Sequence, residues 1–245
     1  MSTVQTTNTA AAPLPVLNSV GQAFVVLYRN LPAALLVTAP VLIAWLPAAL
    51  VPAWRTPGDD LNGRVIFSIL ATLGTVAALL ASMALQQATL RYLKDGTFPA
   101  AAAYRDSLGR IVPYFILTSL FMMICLLSAT MLIVPFLIVA PMFYLAPTVW
   151  LAERCSIPAA FRRSAELTRG NRLRILAITV AATAISLLTD RLLGMPKALM
   201  DVLHTVGGSL SMEALSLVYG MIAAALFAIL YARLAERHPA AVSPA

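Results

Sequence analysis

The segment from Glu153 to Arg174 holds the side chains best suited to chemistry in this 245-residue chain. A guanidinium is always charged, and its fixed fork of N–H donors matches phosphate oxygens. The clustering therefore predicts contact with the head groups of anionic lipids on the cytoplasmic leaflet. The arginines concerned are Arg154, Arg162, Arg163, Arg169, Arg172 and Arg174.

The same segment contains one acid and one hydroxyl that could act together, Glu153 and Ser164. A membrane enzyme acting on lipid would need convergent acid, base or nucleophile groups. We interpret both residues as structural, with Glu153 either capping the start of the next helix or remaining solvated at the interface. The chain has no P-loop, HExxH, CxxC or GxSxG motif. The sequence thus predicts no enzyme, no cofactor and no metal site.

The amino-acid composition indicates the class of fold to which the arginine-rich segment belongs. Hydrophobic residues make up 60% of the chain and charged residues 11%, against roughly 45–50% and about 25% in soluble domains. The few charges exclude a soluble globular domain, a disordered chain and a nucleic-acid binder. They predict an all-α, polytopic membrane protein.

Uncharged runs of spanning length predict about six transmembrane helices. The longest run, Ile111–Ala152, would be about 63 Å as one helix, roughly twice the hydrocarbon core, so it must turn back near residues 128–134. We expect one membrane domain over residues 16–235, between a disordered tail at 1–15 and a C-terminal tail at 236–245. The predicted spans are 31–54, 65–90, 111–129, 135–152, 173–193 and 213–232.

Two short amphipathic helices are predicted to lie on the membrane surface. The first covers about residues 16–30, where Asn18 or Ser19 can cap its start. The second covers about 155–171, with an apolar stripe on one flank, arginines on the other and Gly170 at its end. We expect the stripe of the second helix to enter the acyl boundary while its arginines meet phosphates.

Lysine and arginine are distributed unequally between alternate loops. With six spans, thirteen of the 17 basic residues fall on one side and four on the other. The positive-inside rule then predicts that both termini lie in the cytoplasm, and the expected location is a bacterial inner membrane.

Two faces of small residues predict close helix packing, within one chain or with a second copy or a membrane partner. These faces are Gly74/Ala78/Ser82 and Gly220/Ala224/Ala228. Gln86 and Gln87 within the second span are interpreted as packing contacts or, alternatively, as part of a substrate path. Asp190, Arg191, His204 and His238 are interpreted as structural or inert.

The run from Leu132 to Ile178 resembles bacterial multi-pass proteins related to the membrane domain of glycerophosphoryl diester phosphodiesterases and to YciC-like inner-membrane proteins. A proline-containing span leads there to a Glu, a short helix with Arg-Ser, then Arg-Gly-Asn and a new span. Pro147, Glu153, Ser164 and Gly170 occupy those positions. The resemblance implies an integral membrane protein, and loops of about 25 residues or fewer leave no room for a phosphodiesterase domain.

Three functions are consistent with these features. The first is a non-enzymatic inner-membrane module that contacts anionic lipid and packs with a partner or with itself. The second is a transporter or permease-like component, because the proline-broken first and fourth spans could line a cavity. The third is a membrane-embedded enzyme acting on lipid.

The topology predicts one-sided access to Cys155, which lies at the start of the arginine-rich segment. A membrane-impermeant thiol reagent should label Cys155 only from the cytoplasmic side, because the positive-inside rule places the segment there. Reporter fusions that located residues 153–174 outside the cell would contradict the topology.

Overall fold

A computed structural model describes residues 16–50, 61–131, 133–178, 180 and 207–237, and this part of the chain is all-helical without strands. Residues 172–178 are also helical. The other helices are α1 (Val16–Arg29), α2 (Leu31–Leu50), α3 (Leu61–Asp95), α4 (Ala100–Leu108), α5 (Ile111–Met131), α6 (Ile133–Phe143), α7 (Ala146–Glu153), α8 (Ile157–Leu167) and α9 (Gly207–Arg237).

Three helical segments of the described chain are long and apolar enough to cross a membrane: Ser68–Asp95, Ile111–Ser128 and Leu217–Arg237. A fourth candidate combines α1 and α2, which meet at an 87° bend. The all-helical class is therefore confirmed, with three or four candidate spans. Most of the predicted fifth span, the loop that follows it and both tails lie outside the described residues, as do Asp190, Arg191, His204 and His238.

The core is formed by α3 packed against α2 and α9. Fully buried alanines recur at four-residue spacing on two of these helices, Ala84 and Ala88 on α3 and Ala224 and Ala228 on α9. Small side chains at this spacing let helix backbones approach closely, which is the main source of helix association in a bilayer.

Helix α1 packs on α9 through Ala23, Val26 and Leu27. Ser19 does not cap α1, because the helix begins three residues earlier, at Val16. Its hydroxyl is buried and accepts a hydrogen bond from Arg233 Nη1 at 2.8 Å. Ser19 thus joins the start of α1 to the C-terminal end of α9.

The predicted fourth span is two helices, α6 and α7, separated by a turn at Tyr144 and Leu145. Pro147 stands in the first turn of α7, where its missing N–H is tolerated. A continuous helix would require Pro147 to bond the carbonyl of Phe143, and its ring would collide with that carbonyl. Helix α6 accordingly ends at Phe143, whereas Pro141 is accommodated inside it.

Helix α5 leaves most of its surface outside the fold. Only 17% of its spanning window is buried within the chain, although the segment is strongly apolar. Val112, Met122 and Leu126 are among its large side chains that are more than 60% exposed. A face of this kind needs hydrocarbon or a protein partner around it, as a membrane environment provides.

Buried polar side chains join α3 to α7 and α5. The Thr148 hydroxyl donates to Gln86 Oε1 at 2.9 Å, and Gln86 Nε2 donates to Ser82 Oγ at 3.3 Å. The Tyr114 hydroxyl interacts with the side chains of Ser82 and Gln86. Gln86 therefore serves as a packing contact between helices, one of its two expected roles.

Replacing Thr148 with Val should test this contact, because the isosteric side chain leaves Gln86 Oε1 without its donor. We expect a loss of about 0.6 kcal/mol, the average for hydrogen bonds between membrane helices, and at most about 1.7 kcal/mol. Thermal unfolding in detergent measures the loss. Thr72→Val is the matched control, since the exposed Thr72 hydroxyl donates to the Ser68 carbonyl of its own helix. Equal stability of the two variants would contradict the role of Thr148.

Candidate functional site

Helix α8 carries the arginine-rich segment as an elbow between α7 and the helical residues 172–178. Ser156 is extended before the helix, and Pro158 stands in its first turn, where a proline is favourable. Thr168 ends α8, and Gly170 follows with φ +86°, a left-handed conformation that glycine adopts without strain. This turn redirects the chain into the next helix.

The inner face of α8 packs on the protein. Ala160, Ser164 and Leu167 are completely buried, with α6, α7 and α9 as neighbours. These residues of the apolar stripe therefore face the protein, whereas the sequence led us to expect that the stripe enters the acyl boundary of the membrane. Small and hydroxyl side chains along it let α8 lie close to the bundle, so only its outer flank remains available to lipid or water.

A hydroxyl of this face binds the end of α6. Ser164 Oγ donates to the Met142 carbonyl at 2.9 Å. The Thr168 hydroxyl donates mainly to the Ser164 carbonyl of its own helix, at 2.9 Å, and lies 3.4 Å from the Met142 carbonyl. The last four carbonyls of a helix lack partners within it, and Met142 is the penultimate residue of α6. The break in the fourth arm thus creates an acceptor that α8 satisfies.

Glu153 connects three helices. Its Oε1 accepts a hydrogen bond from Arg163 Nε of α8 at 3.3 Å and from the Tyr231 hydroxyl of α9 at 3.1 Å. Arg163 also lies 3.5 Å from Glu166 Oε2. Glu153 and Arg163 are both partly shielded from solvent, with 25% and 15% of their side chains exposed. We call Glu153, Arg163 and Tyr231 the Glu153 node. It fixes α8 against the end of the bundle.

Cys155 lies beside the Glu153 node, between α7 and α8. Partial burial, followed by the negative charge of Glu153, raises the pKa of the Cys155 thiol above its usual value. Both effects disfavour the thiolate. Cys155 is therefore a poor nucleophile at neutral pH, because the thiolate is the reactive form.

The structure divides the six predicted lipid-contact arginines into two groups. Arg154, Arg162, Arg169 and Arg174 are exposed, whereas Arg163 belongs to the Glu153 node and Arg172 is partly buried. Arg154 adopts φ +51° as the C-terminal cap of α7. A wide groove of about 1000 Å³ runs along the turn after α8, lined by Arg162, Ala165, Glu166, Arg169, Gly170, Asn171, Arg172, Leu173 and Arg174.

The acid and the hydroxyl considered as a reactive pair have separate partners. Glu153 binds Arg163 and Tyr231, and Ser164 donates to the Met142 carbonyl. Each therefore has a structural contact that explains its residue type.

The two small-residue faces have different surroundings. Gly74 is buried, Ser82 is half-buried and Ala78 is exposed. On α9, Ala224 and Ala228 are buried within the fold, but a Cβ added to the exposed Gly220 would meet no atom within 4 Å. The exposed positions, Ala78 and Gly220, are those at which another helix could approach.

Sequence reasoning missed Tyr231, Thr148 and the Met142 carbonyl. Tyr231 and Thr148 lie in apolar runs and are far along the chain from their partners, so their spacing carries no signal. A search for hydroxyl residues in apolar runs could have found them, because such groups need partners in a bilayer. The acceptor role of Met142 depends on where α6 ends, which the residue type does not indicate.

The described residues form an all-helical fold with three or four candidate membrane-spanning helices and a basic elbow. Residues 100–236 match the model of the DUF7847 family, a domain of unknown function. The match covers more than half of the chain, so the chain belongs to the DUF7847 family. The matched region contains α4 to α8 and all but the last residue of α9, and it includes the Glu153 node. No curated protein and no solved structure matches the chain.

The pH dependence of thiol labelling should report on the Glu153 node. In a Cys125→Ala background, Cys155 should reach half-maximal labelling rate at a higher pH than a free cysteine, because its pKa is raised. Glu153→Gln removes a negative charge and should move the profile to lower pH. Tyr231→Phe removes a hydrogen bond to Glu153 but keeps the charge, so it serves as the control. A profile unchanged by Glu153→Gln would show that the carboxylate does not influence the thiol.

Proposed function

We propose that this protein is a non-enzymatic module of the bacterial inner membrane that contacts anionic lipids of the cytoplasmic leaflet through its arginine-rich elbow. The observation that carries the proposal is the division of α8 into two flanks. Its inner flank is bound to the bundle, and its outer flank presents Arg162 and, just beyond the helix, Arg169. Charges held in this way near an anionic surface attract it by about 1 kcal/mol each.

Contacts between the helices support the proposed topology. Ser19 of α1 binds Arg233, Glu153 binds Tyr231, and Arg91 of α3 forms an ion pair with Asp106 of α4. Helix α4 also packs against the first turns of α2. These contacts bring α1, α4, α8 and the end of α9 to one end of the bundle. The basic residues that the six-span topology assigns to the cytoplasm lie on these elements or next to them.

Six spans and two cytoplasmic termini complete the proposal. It would place the elbow at the inner face, where anionic lipid is concentrated. The likeness of residues 132–178 to glycerophosphoryl diester phosphodiesterase membrane domains and YciC-like proteins supports a membrane-embedded role without a catalytic domain. Packing with a membrane partner or a second copy would use α5, whose surface is largely uncovered, and the open position at Gly220.

A transporter-like component is the second candidate. Gln87 Nε2 and Thr89 Oγ1 are buried and have no hydrogen-bond partner among the described residues. Unpaired polar groups inside a membrane bundle are features of substrate paths. The neighbouring Gln86 is bound to Thr148 and Ser82, which favours a packing role for this part of α3.

A charge-removal variant tests lipid contact. Phosphatidylglycerol added to the detergent-solubilised protein should raise its melting temperature more than phosphatidylcholine does, because binding to the folded state stabilises it. In Arg162→Gln/Arg169→Gln/Arg174→Gln this difference should shrink, because each arginine contributes about 1 kcal/mol to the free energy of binding an anionic surface. Arg163 is left intact because it holds the Glu153 node.

The matched control replaces the same three arginines with lysine, which keeps the charge. This control should retain most of the preference, and salt should weaken it in the wild type. A glutamine variant that prefers phosphatidylglycerol as strongly as the wild type would refute lipid contact through the elbow.

A further inference from the structure

The groove beside the elbow has an excess of positive charge that its own residues do not neutralise. Among the described residues that line it, four are arginines and Glu166 is the one acid. The Glu166 carboxylate lies 3.5 Å from Arg163, which is not part of the groove wall. The net positive charge of the groove therefore favours an anion larger than a single carboxylate.

Arg172 provides a separate observation. Its Nε is buried, and no hydrogen-bond acceptor for it lies among the residues that the structure describes. A buried N–H donor without a partner is costly, and more so on a charged group. Arg172 lines the groove and is only partly buried, so a small movement of its side chain would let an anion bound there accept the hydrogen bond from its Nε.

Leu173 indicates which kind of anion fits. It also lines the groove, and 81% of its surface is exposed, so an apolar side chain lies open beside the arginines. An anionic group next to an apolar contact is the chemistry of a phospholipid, whose phosphate adjoins glycerol and acyl chains. Inorganic phosphate would satisfy the arginines but not Leu173.

We propose that the groove after α8 is a specific site for one anionic phospholipid, with Arg172 donating to its phosphate and Leu173 contacting its glycerol and upper acyl region. The proposal rests on the lipid contact proposed above, and it adds a defined site to a general attraction. Arg162, Arg169 and Arg174 supply the surrounding charge. Arg172 provides the directed hydrogen bond.

The test is a binding titration of the detergent-solubilised full chain. Dioctanoyl phosphatidylglycerol should bind with one saturable site, read by native mass spectrometry or calorimetry. Arg172→Lys keeps the charge but removes the Nε donor and the guanidinium fork, and it should weaken binding about tenfold or more. Arg105→Lys is the matched control, because Arg105 is an exposed arginine of α4 outside the groove, and it should bind like the wild type.

Further arms identify the source of the phosphate. Inorganic phosphate should bind more weakly than the lipid, and Leu173→Ala should weaken the lipid but not inorganic phosphate. Circular dichroism and gel filtration check that each variant is folded. Equal affinities of Arg172→Lys and Arg105→Lys would refute the directed contact, and inorganic phosphate binding as tightly as the lipid would refute a lipid site.

The two proposals fail in different ways. If only the proposal of a specific site is wrong, the protein should still show the salt-dependent preference for phosphatidylglycerol. That preference depends on exposed charge, and Arg172→Lys keeps the charge. Loss of the general attraction alone would leave the saturable binding and its dependence on Arg172.

Discussion

The requirement that each backbone polar group finds a partner shapes the part of this chain that carries the elbow. A bilayer offers no water to a broken helix, so an interruption must be satisfied by the protein. Pro147 prevents α6 from continuing into α7, and the Met142 carbonyl is left at the end of α6. Ser164 donates to that carbonyl. The break in the fourth arm and the Ser164 hydroxyl of α8 therefore belong to one arrangement, although 22 residues separate the partners.

The Glu153 node extends this arrangement to α9. A carboxylate at the end of α7 receives hydrogen bonds from α8 and α9, so the elbow, the broken arm and the last helix are held together at one end. Ion pairs in exposed positions contribute little, but a partly shielded pair with a second donor is screened less. The elbow is thus a rigid extension of the bundle. Its exposed arginines are presented by a fixed scaffold, which would lower the entropy lost in the lipid contact proposed above.

Sequence reasoning is most informative where the physics is local. The scarcity of charge predicts an all-helical membrane fold, and the length of the uncharged stretch 111–152 requires a turn; the structure divides this stretch into separate helices, with α5 ending at Met131 and α6 beginning at Ile133. The left-handed Gly170 follows from its position after an amphipathic repeat. Each of these inferences needs only composition, length or the identity of one residue.

Contacts between distant helices could not be predicted in the same way. Nothing in the sequence near Glu153 indicates that it pairs with Tyr231, 78 residues later. Likewise, the sequence around Ser19 favours a helix cap and does not indicate its partner Arg233. The pattern of α8 shows a polar and an apolar flank, but an apolar flank can face lipid or protein equally well. The complete burial of Ala160 and Leu167 decides this for α8. In a membrane protein, periodicity identifies the two faces of a helix, and only the fold shows which face remains for the lipid.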